Sequence, residues 1–589
     1  MTGMRNLLLA AAITLPAAPA FAAPDAAGAV RQARMPSILT EAQRTSYREI
    51  FAAIRTQDWA GAAARLDAMG DGPLHSVARA ELYLAKGSPK VELAPLLALV
   101  AAAPEMPKAA QLSRLAGTRG ATELPPVAEP RELRWQGEQP RRTRPKAAAT
   151  DPVRAELEGL VQPLIVGDRP SEAEAYLLEW QDRLTPEART EYQQRIAWSY
   201  YLIGRSADAR RLADQARSGV GEWTLQAEWV AGLAAWRMGD CKAAADNFAM
   251  VGARATDPEL NAAGNYWAAR SDMRCGRPER VQPRLRTAAR LTETFYGLLA
   301  AGALGVKKPT LSQLHDYRDA EWQGIATKPN VRAAIALNEL GERNLADETI
   351  RHQARLGTAA EHEALIHLAS DLNLAGTQFW LAHNAPAGAR VNIAARYPEP
   401  DWQPVRGWRV DKALAFAHAL QESNFRTQVV SPAGASGLMQ VRPGTAGDIA
   451  RSRGEPFDSK QLSEPAYNLE YGQTYLESLR DNGGTGGLLP KVIAAYNAGP
   501  VPVAEWNARA FDGGDPLLYI ESLPYWETRG YVPIILRNYW IYEQKEGKES
   551  ASRKALVQGL WPKFPGARGP SAVRLEPRAG TAAPVQGTD

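Results

Sequence analysis

From Ile38 to about Arg390, apolar residues recur at three- and four-residue spacing, and alternating, β-branched stretches are almost absent. That spacing gathers the apolar side chains on one stripe of a helix, so this stretch is restricted to helices whose stripes face one another. Turn signals punctuate it at a near-regular interval. Gly204-Arg205-Ser206, Gly239-Asp240-Cys241 and Cys275-Gly276-Arg277 place glycines 35 and then 37 residues apart. Each follows a segment rich in Ala and aromatic residues: Ala197-Trp198, Ala235-Trp236, Trp267-Ala268. A loose period of this length matches helix-turn-helix repeats. Their pairs bury apolar faces only on neighbouring pairs and so stack into a curved solenoid.

At 589 residues the chain exceeds what one hydrophobic core serves. The opening residues read as an export signal over 1–22. Arg5 supplies the positive start, Leu7 to Leu15 the apolar run, and Ala20-Phe21-Ala22 a small-x-small cleavage pattern. A periplasmic location is expected, with cleavage near Ala22 and no stable membrane anchor, because that run is too short to span a bilayer and no later stretch is apolar enough. Residues 23–122 are expected to form an N-terminal helical segment and 153–390 a helical superhelix with a linker domain. Between them, 123–152 holds six prolines and the cluster Arg141, Arg142, Arg144. It reads as an exposed linker or an extended strap, and its length favours a boundary or flexible insert whose arginines are solvated. Residues 561–589, rich in Pro, Gly and Ala, are expected to form a disordered tail. Cys241 and Cys275 are the only cysteines; they pair as a disulfide or stand as two free buried thiols.

The charge of +4 is small for this length, and no Lys/Arg run resembles a nucleic-acid arm, so no nucleic-acid partner is expected. No metal-ligand spacing or phosphate-binding loop occurs, so no cofactor or metal is expected either. Near Tyr397-Pro398 the pattern changes: helices shorten and loops bearing Gly, Asn and Pro multiply, where functional residues concentrate. Residues 391–560 are read as a separate domain. Within it, Ala413 to Leu420 (ALAFAHAL) is a short apolar helix that runs directly into Gln421-Glu422-Ser423-Asn424-Phe425. A carboxylate that follows such a helix, if buried, has its pKa raised and stays protonated as a general acid. His418 on the same helix reads as a satisfied core histidine, and Phe425 as a core residue that fixes the helix end.

Three further segments follow in order: Ser431 to Gln440 (SPAGASGLMQ), Lys491 to Pro500 (KVIAAYNAGP) and Glu521 to Val532 (ESLPYWETRGYV). With Leu462 to Leu476 (LSEPAYNLEYGQTYL) between them, they resemble the soluble lytic murein transglycosylase family over about residues 395–545. The one departure in the motifs is Val441 where the family more usually has isoleucine. The resemblance implies a mainly α protein: an N-terminal α-superhelix of repeat-like helical hairpins, followed by a lysozyme-like catalytic domain. It implies cleavage of the glycan strands of peptidoglycan. Glu422 first protonates the leaving glycosidic oxygen, then draws a proton from the C6 hydroxyl of N-acetylmuramic acid, which closes on C1 to leave a 1,6-anhydro end. No acidic residue lies between Glu422 and Asp448, which fits a one-carboxylate route assisted by the sugar's N-acetyl oxygen.

The same resemblance places Ser436 beside Glu422, Met439 and Gln440 along the sugar groove, and Tyr496, Asn497, Glu527 and Tyr531 at the cleft. Glu527 is expected to bind substrate and Glu521 to lie on the surface. Peptidoglycan is the expected partner of a monomer. Two rivals stand beside this reading: a muramidase on the same fold that lets water attack, and a helical adaptor whose last domain binds glycan without cutting.

Overall fold

A computed structural model describes residues 36–306 and 319–576, so the expected signal segment lies outside the described residues. The architecture is mainly α. In the middle of the chain, helices Pro186–Leu202 and Ser206–Arg217, Trp223–Arg237 and Cys241–Arg254, and Pro258–Arg274 and Pro278–Ala289 form successive hairpins. Local chemistry sets their ends. Thr185, Asp240 and Asp257 cap helix starts through their side-chain oxygens. Gly204, Gly239 and Gly276 hold φ of +83°, +80° and +66° at the turn inside each hairpin, a conformation that costs glycine little. The repeat read from the glycine spacing is therefore a repeat of helical hairpins. Cys241, at one helix start, and Cys275, at the end of the next pair's first helix, form a disulfide with Cα atoms 5.6 Å apart that ties neighbouring hairpins.

The first helices do not continue this stack. Tyr47, Ile50 and Phe51 of helix Glu41–Arg55 share one core with Val331, Ile335, Leu365 and Leu368, which come from helices more than 270 residues later. Ion pairs Arg44–Glu339 (3.0 Å) and Arg55–Glu342 (2.5 Å) border this junction. The two ends of a helical array each leave an apolar face without a neighbour, and here the ends cover one another.

Residues 123–152 are a strap rather than a flexible insert; Arg141 and Arg144 are exposed as expected, and the correction concerns Arg142. Proline removes backbone donors and forbids helix, yet an extended chain still offers carbonyls and the remaining N–H groups to its neighbours. Arg134 and Trp135 pair antiparallel with Ala385 and Asn384. Gln136 N donates to His383 O (2.8 Å), the Pro140 carbonyl accepts from the buried Arg537 guanidinium, and the Lys146 carbonyl accepts from the Trp223 indole N–H (2.8 Å). Arg142 is turned inward over the Trp229 ring and pairs bidentately with Glu521 (2.6 and 2.7 Å). Glu521 is thus 1% exposed and not a surface residue.

The last domain is built on helix Lys412–Ser423, which packs against the 20-residue helix Trp526–Lys545; that helix also contacts Leu489–Ala498. The expected disordered tail does not begin at 561. Trp561-Pro562 pair antiparallel with Val573 and Ala572, and the buried Trp561 ring donates its N–H to Gly514 O (2.8 Å). Among the described residues no helix is long and apolar enough to cross a membrane.

Removing one partner of the Arg142–Glu521 pair leaves the other charge buried and alone, which costs about 3 to 5 kcal/mol, whereas replacing both by apolar residues is far milder. Arg142→Ala is therefore expected to lower the thermal midpoint well below that of Arg142→Met combined with Glu521→Leu, read by circular dichroism. Equal midpoints would show that the pair carries no such weight.

Candidate active site

The helix Lys412–Ser423 delivers Glu422 at its last turn and then stops abruptly. Asn424 (φ +52°) and Phe425 (φ +60°) are consecutive left-handed residues. Asn tolerates that region, but Phe does so only when its surroundings hold it there. The Phe425 ring is buried against Phe416 (5.7 Å between centroids), so burial of a large aromatic offsets the local backbone cost. This turn points the chain away immediately after Glu422 and leaves that carboxyl half-buried.

Opposite it lies the loop Ser431–Gln440. Gly437 sits at φ +74°, where a Cβ would come within 2.1 Å of Leu462 O and 2.3 Å of Asn468 Nδ2, so only glycine fits. Asn468, fully buried, holds the loop with its whole amide. Its Oδ1 accepts from Met439 N (2.8 Å), and its Nδ2 donates to Ser436 O and Leu462 O (both 2.8 Å). The sequence reading assigned no role to Asn468. Its only local signal is an amide on the buried face of helix Pro465–Arg480.

Met439 does not line the groove. Its side chain is fully buried against Gly472, and what it offers toward the site is its carbonyl, which accepts from the Tyr496 hydroxyl (2.7 Å). Gln440 is half-buried and its Nε2 donates to Gly437 O (2.8 Å) and Val429 O (3.2 Å), bracing the loop. Ser436 Oγ donates to Gly434 O (3.4 Å) and makes no hydrogen bond to Glu422. Asn497 accepts from Thr528 Oγ1 (2.6 Å) and donates to the exposed Glu527 (3.4 Å).

Glu422 itself is contacted by the Tyr531 hydroxyl, which donates to Oε1 at 2.5 Å. Burial pushes the Glu422 carboxyl up to about 7. The Tyr531 hydrogen bond favours the ionised form and opposes that rise, while the negative charge of Glu527 adds to it. Burial and the Glu422 carboxylate also push the Tyr531 and Tyr496 hydroxyls well up, so both remain donors. One turn before Glu422, His418 is fully buried with its ring 4.7 Å from Tyr496; burial holds it down to about 4, hence neutral. Its Nδ1 faces Leu414 O (2.9 Å) but its Nε2 has no partner, so it is a core histidine only half satisfied. Arg529, on the Tyr531 helix, lies 4.0 Å over the Trp198 ring and couples this wall to the helical array. The arrangement is a half-buried carboxyl whose proton equilibrium is raised to near neutral pH, next to one phenol donor.

These features define a class: a lysozyme-like helical domain built around one protonated carboxyl and mounted on an array of helical hairpins. Residues 403–517 match the family described as "Transglycosylase SLT domain". The soluble lytic murein transglycosylase of Salmonella typhimurium is 38% identical over 148 residues, 25% of this chain and 23% of that protein. A putative soluble lytic murein transglycosylase of Haemophilus influenzae is 30% identical over 299 residues, 48% of this chain and 47% of that protein. The matched stretches thus span less than half the length of these relatives. Among solved structures, the 70 kDa soluble lytic transglycosylase of Escherichia coli superposes with a TM-score of 0.55 at 19% identity, covering 90% of this chain and 100% of that one. Over residues 403–517, the stretch that holds Glu422, the chain thus carries a transglycosylase SLT domain.

A carboxyl raised from 4.5 to about 7 by folding binds its proton more tightly in the native state than in the unfolded chain. Its contribution to stability therefore falls as pH rises from about 4.5 through 7, by at most about 3 kcal/mol. Glu422→Gln is expected to match the wild-type thermal midpoint at pH 4 and exceed it at pH 8; an offset independent of pH would contradict the shift. Difference infrared spectroscopy of the Glu422 band should show its midpoint rising in Tyr531→Phe, which loses the bond to the ionised form. It should fall in Glu527→Gln, which loses the repelling charge.

Proposed function

We propose that this protein is a periplasmic lytic transglycosylase that acts as a monomer on peptidoglycan, cleaving the β-1,4 bond between N-acetylmuramic acid and N-acetylglucosamine. The observation that carries the proposal is the state of Glu422: one carboxyl, held protonated near neutral pH by burial and touched by a phenol donor, within a domain of this family.

Glu422 donates its proton to the glycosidic oxygen as the C1–O bond breaks. The carboxylate so formed is stabilised by the Tyr531 hydroxyl and takes the proton of the C6 hydroxyl, whose oxygen bonds to C1. The proton returns to Glu422, no water is consumed, and the products are a 1,6-anhydro end and a free 4-hydroxyl. Positive charge at C1 is met by the substrate's own N-acetyl oxygen, an assisted route that dispenses with a second carboxylate. Glu527, the other carboxylate next to the site, is exposed and engaged with Asn497, which suits it to sugar hydroxyls. Its charge adds to the rise of the Glu422 pKa that burial mainly causes. Asn497, Gln440 and Ser436 supply amide and hydroxyl contacts to the sugars. Proton transfer by a positioned group of this kind is worth about 10² to 10⁴ in rate.

Purified peptidoglycan digested by wild type and by Glu422→Gln separates the possibilities by mass spectrometry of the soluble products. Anhydro-ended muropeptides from the wild type alone are the expected result. Reducing ends would establish a hydrolase, and no release by the wild type would establish a glycan-binding protein.

A further inference from the structure

Behind the turn that follows Glu422 lies a cavity of about 300 Å³, between that turn and the helices Arg343–Leu356 and Ala375–His383. Its walls bring Arg343 and Arg351 from the helical part together with Arg426 from the turn. None of these three guanidiniums has an ion-pair partner within 4 Å among the described residues. Arg351 spends its Nε on Thr377 Oγ1 (2.9 Å) and Arg426 its Nε on Ser423 O (3.0 Å), which leaves their terminal nitrogens available. The charges of Arg351 and Arg426 repel one another across the space. A single carboxylate, Asp347, faces them and is fixed by the Thr377 hydroxyl. The rest of the lining mixes the polar Asn344, Asn373, Thr427 and Gln428 with Leu374, Phe425 and Trp402, whose buried indole N–H has no hydrogen-bond partner.

Three cations and one anion around a floor part polar and part apolar call for a ligand that is itself anionic, carries an N–H donor and has a small apolar body. Guanidinium forks fit carboxylates in a planar, two-bonded geometry. We propose that this pocket binds the carboxylate end of a short peptide, with Arg351 and Arg426 on the carboxylate and Asp347 on a peptide N–H. The cavity is at the small end of ligand sites, sized for a short peptide rather than a glycan strand. Inorganic phosphate is the poorer match, since it would face Asp347 and gain nothing from Trp402 and Phe425. That the peptide is one carried by peptidoglycan rests on the function proposed above; the binding itself does not. Because Phe425 and Arg426 belong to the turn that ends the Glu422 helix, an occupant would bear directly on the segment that positions the carboxyl.

The test is isothermal titration calorimetry on the full-length Glu422→Gln protein, so that binding is read without any cleavage. Three probes are compared: the dipeptide alanyl-glutamate, its fully amidated analogue, and inorganic phosphate. The dipeptide is expected to bind, with affinity reduced about tenfold or more by amidation and by either Arg351→Gln or Arg426→Gln. Arg426 lies on an exposed turn, so its variant keeps the test open if Arg351→Gln does not fold, which circular dichroism reports. Absence of dipeptide binding overturns the proposal. So does phosphate binding as tight as the dipeptide, which would show an unspecific anion site, or dipeptide binding indifferent to both substitutions. A peptide that binds here while the wild type releases no anhydro products would leave the pocket standing and remove the transglycosylase reading.

Discussion

The buried contact among Arg142, Glu521 and Tyr296 joins three parts of the chain at one point. Tyr296 donates to Glu521 Oε1 (2.5 Å) and accepts from the Trp267 indole (2.9 Å), while Arg142 stacks on Trp229 (4.6 Å). The aromatic residues belong to the helical array, the arginine to the strap and the glutamate to the domain that holds Glu422. A charge buried this deeply must be paired, so the strap cannot leave and the domain cannot rotate without exposing an unpartnered ion. Ser522 and Asp515 extend the seam through Tyr201 (2.9 Å), Arg237 (3.0 Å) and Arg270 (2.6 Å). The seam is thus directional as well as apolar.

That rigidity matters because the Glu422 carboxyl is held against its own preference. Burial raises it, and Glu527 raises it further, whereas Tyr531 lowers it; the balance leaves a group that can both give and take a proton near neutral pH. In the proposed reaction the base role needs the ionised form to be supported, and the Tyr531 hydroxyl is already on Oε1. Such a site costs stability, and the left-handed pair Asn424–Phe425 adds local backbone cost that the packed Phe425 ring offsets. Asn468 does for the facing loop what Phe425 does for the turn.

Much of this was legible in the sequence, and the limits fall at identifiable residues. Gly204, Gly239 and Gly276 marked the hairpin turns because a positive φ is a local demand. Glu422 was legible because a carboxylate at the end of an apolar helix is out of place, and Tyr531 and Asn497 because their motifs carry them. Met439 misled, since an apolar side chain in a loop motif reads equally as groove or as core, and the gap beside Gly472 made it core. Glu521 and Arg142 misled for a related reason: charged residues are solvated by default, and only a partner far along the chain reverses that.

The sequence by itself determined the helical class and the turn positions, because periodicity, capping and backbone permissiveness act over a few residues, and its motifs named the candidate groups of the site. The tertiary structure decided which helices share a core, where the strap runs, and the protonation of Glu422. These depend on contacts such as Tyr531 with Glu422, 109 residues apart, and Arg142 with Glu521, 379 apart. Desolvation and long-range pairing belong to the packed chain as a whole, and no local pattern encodes them.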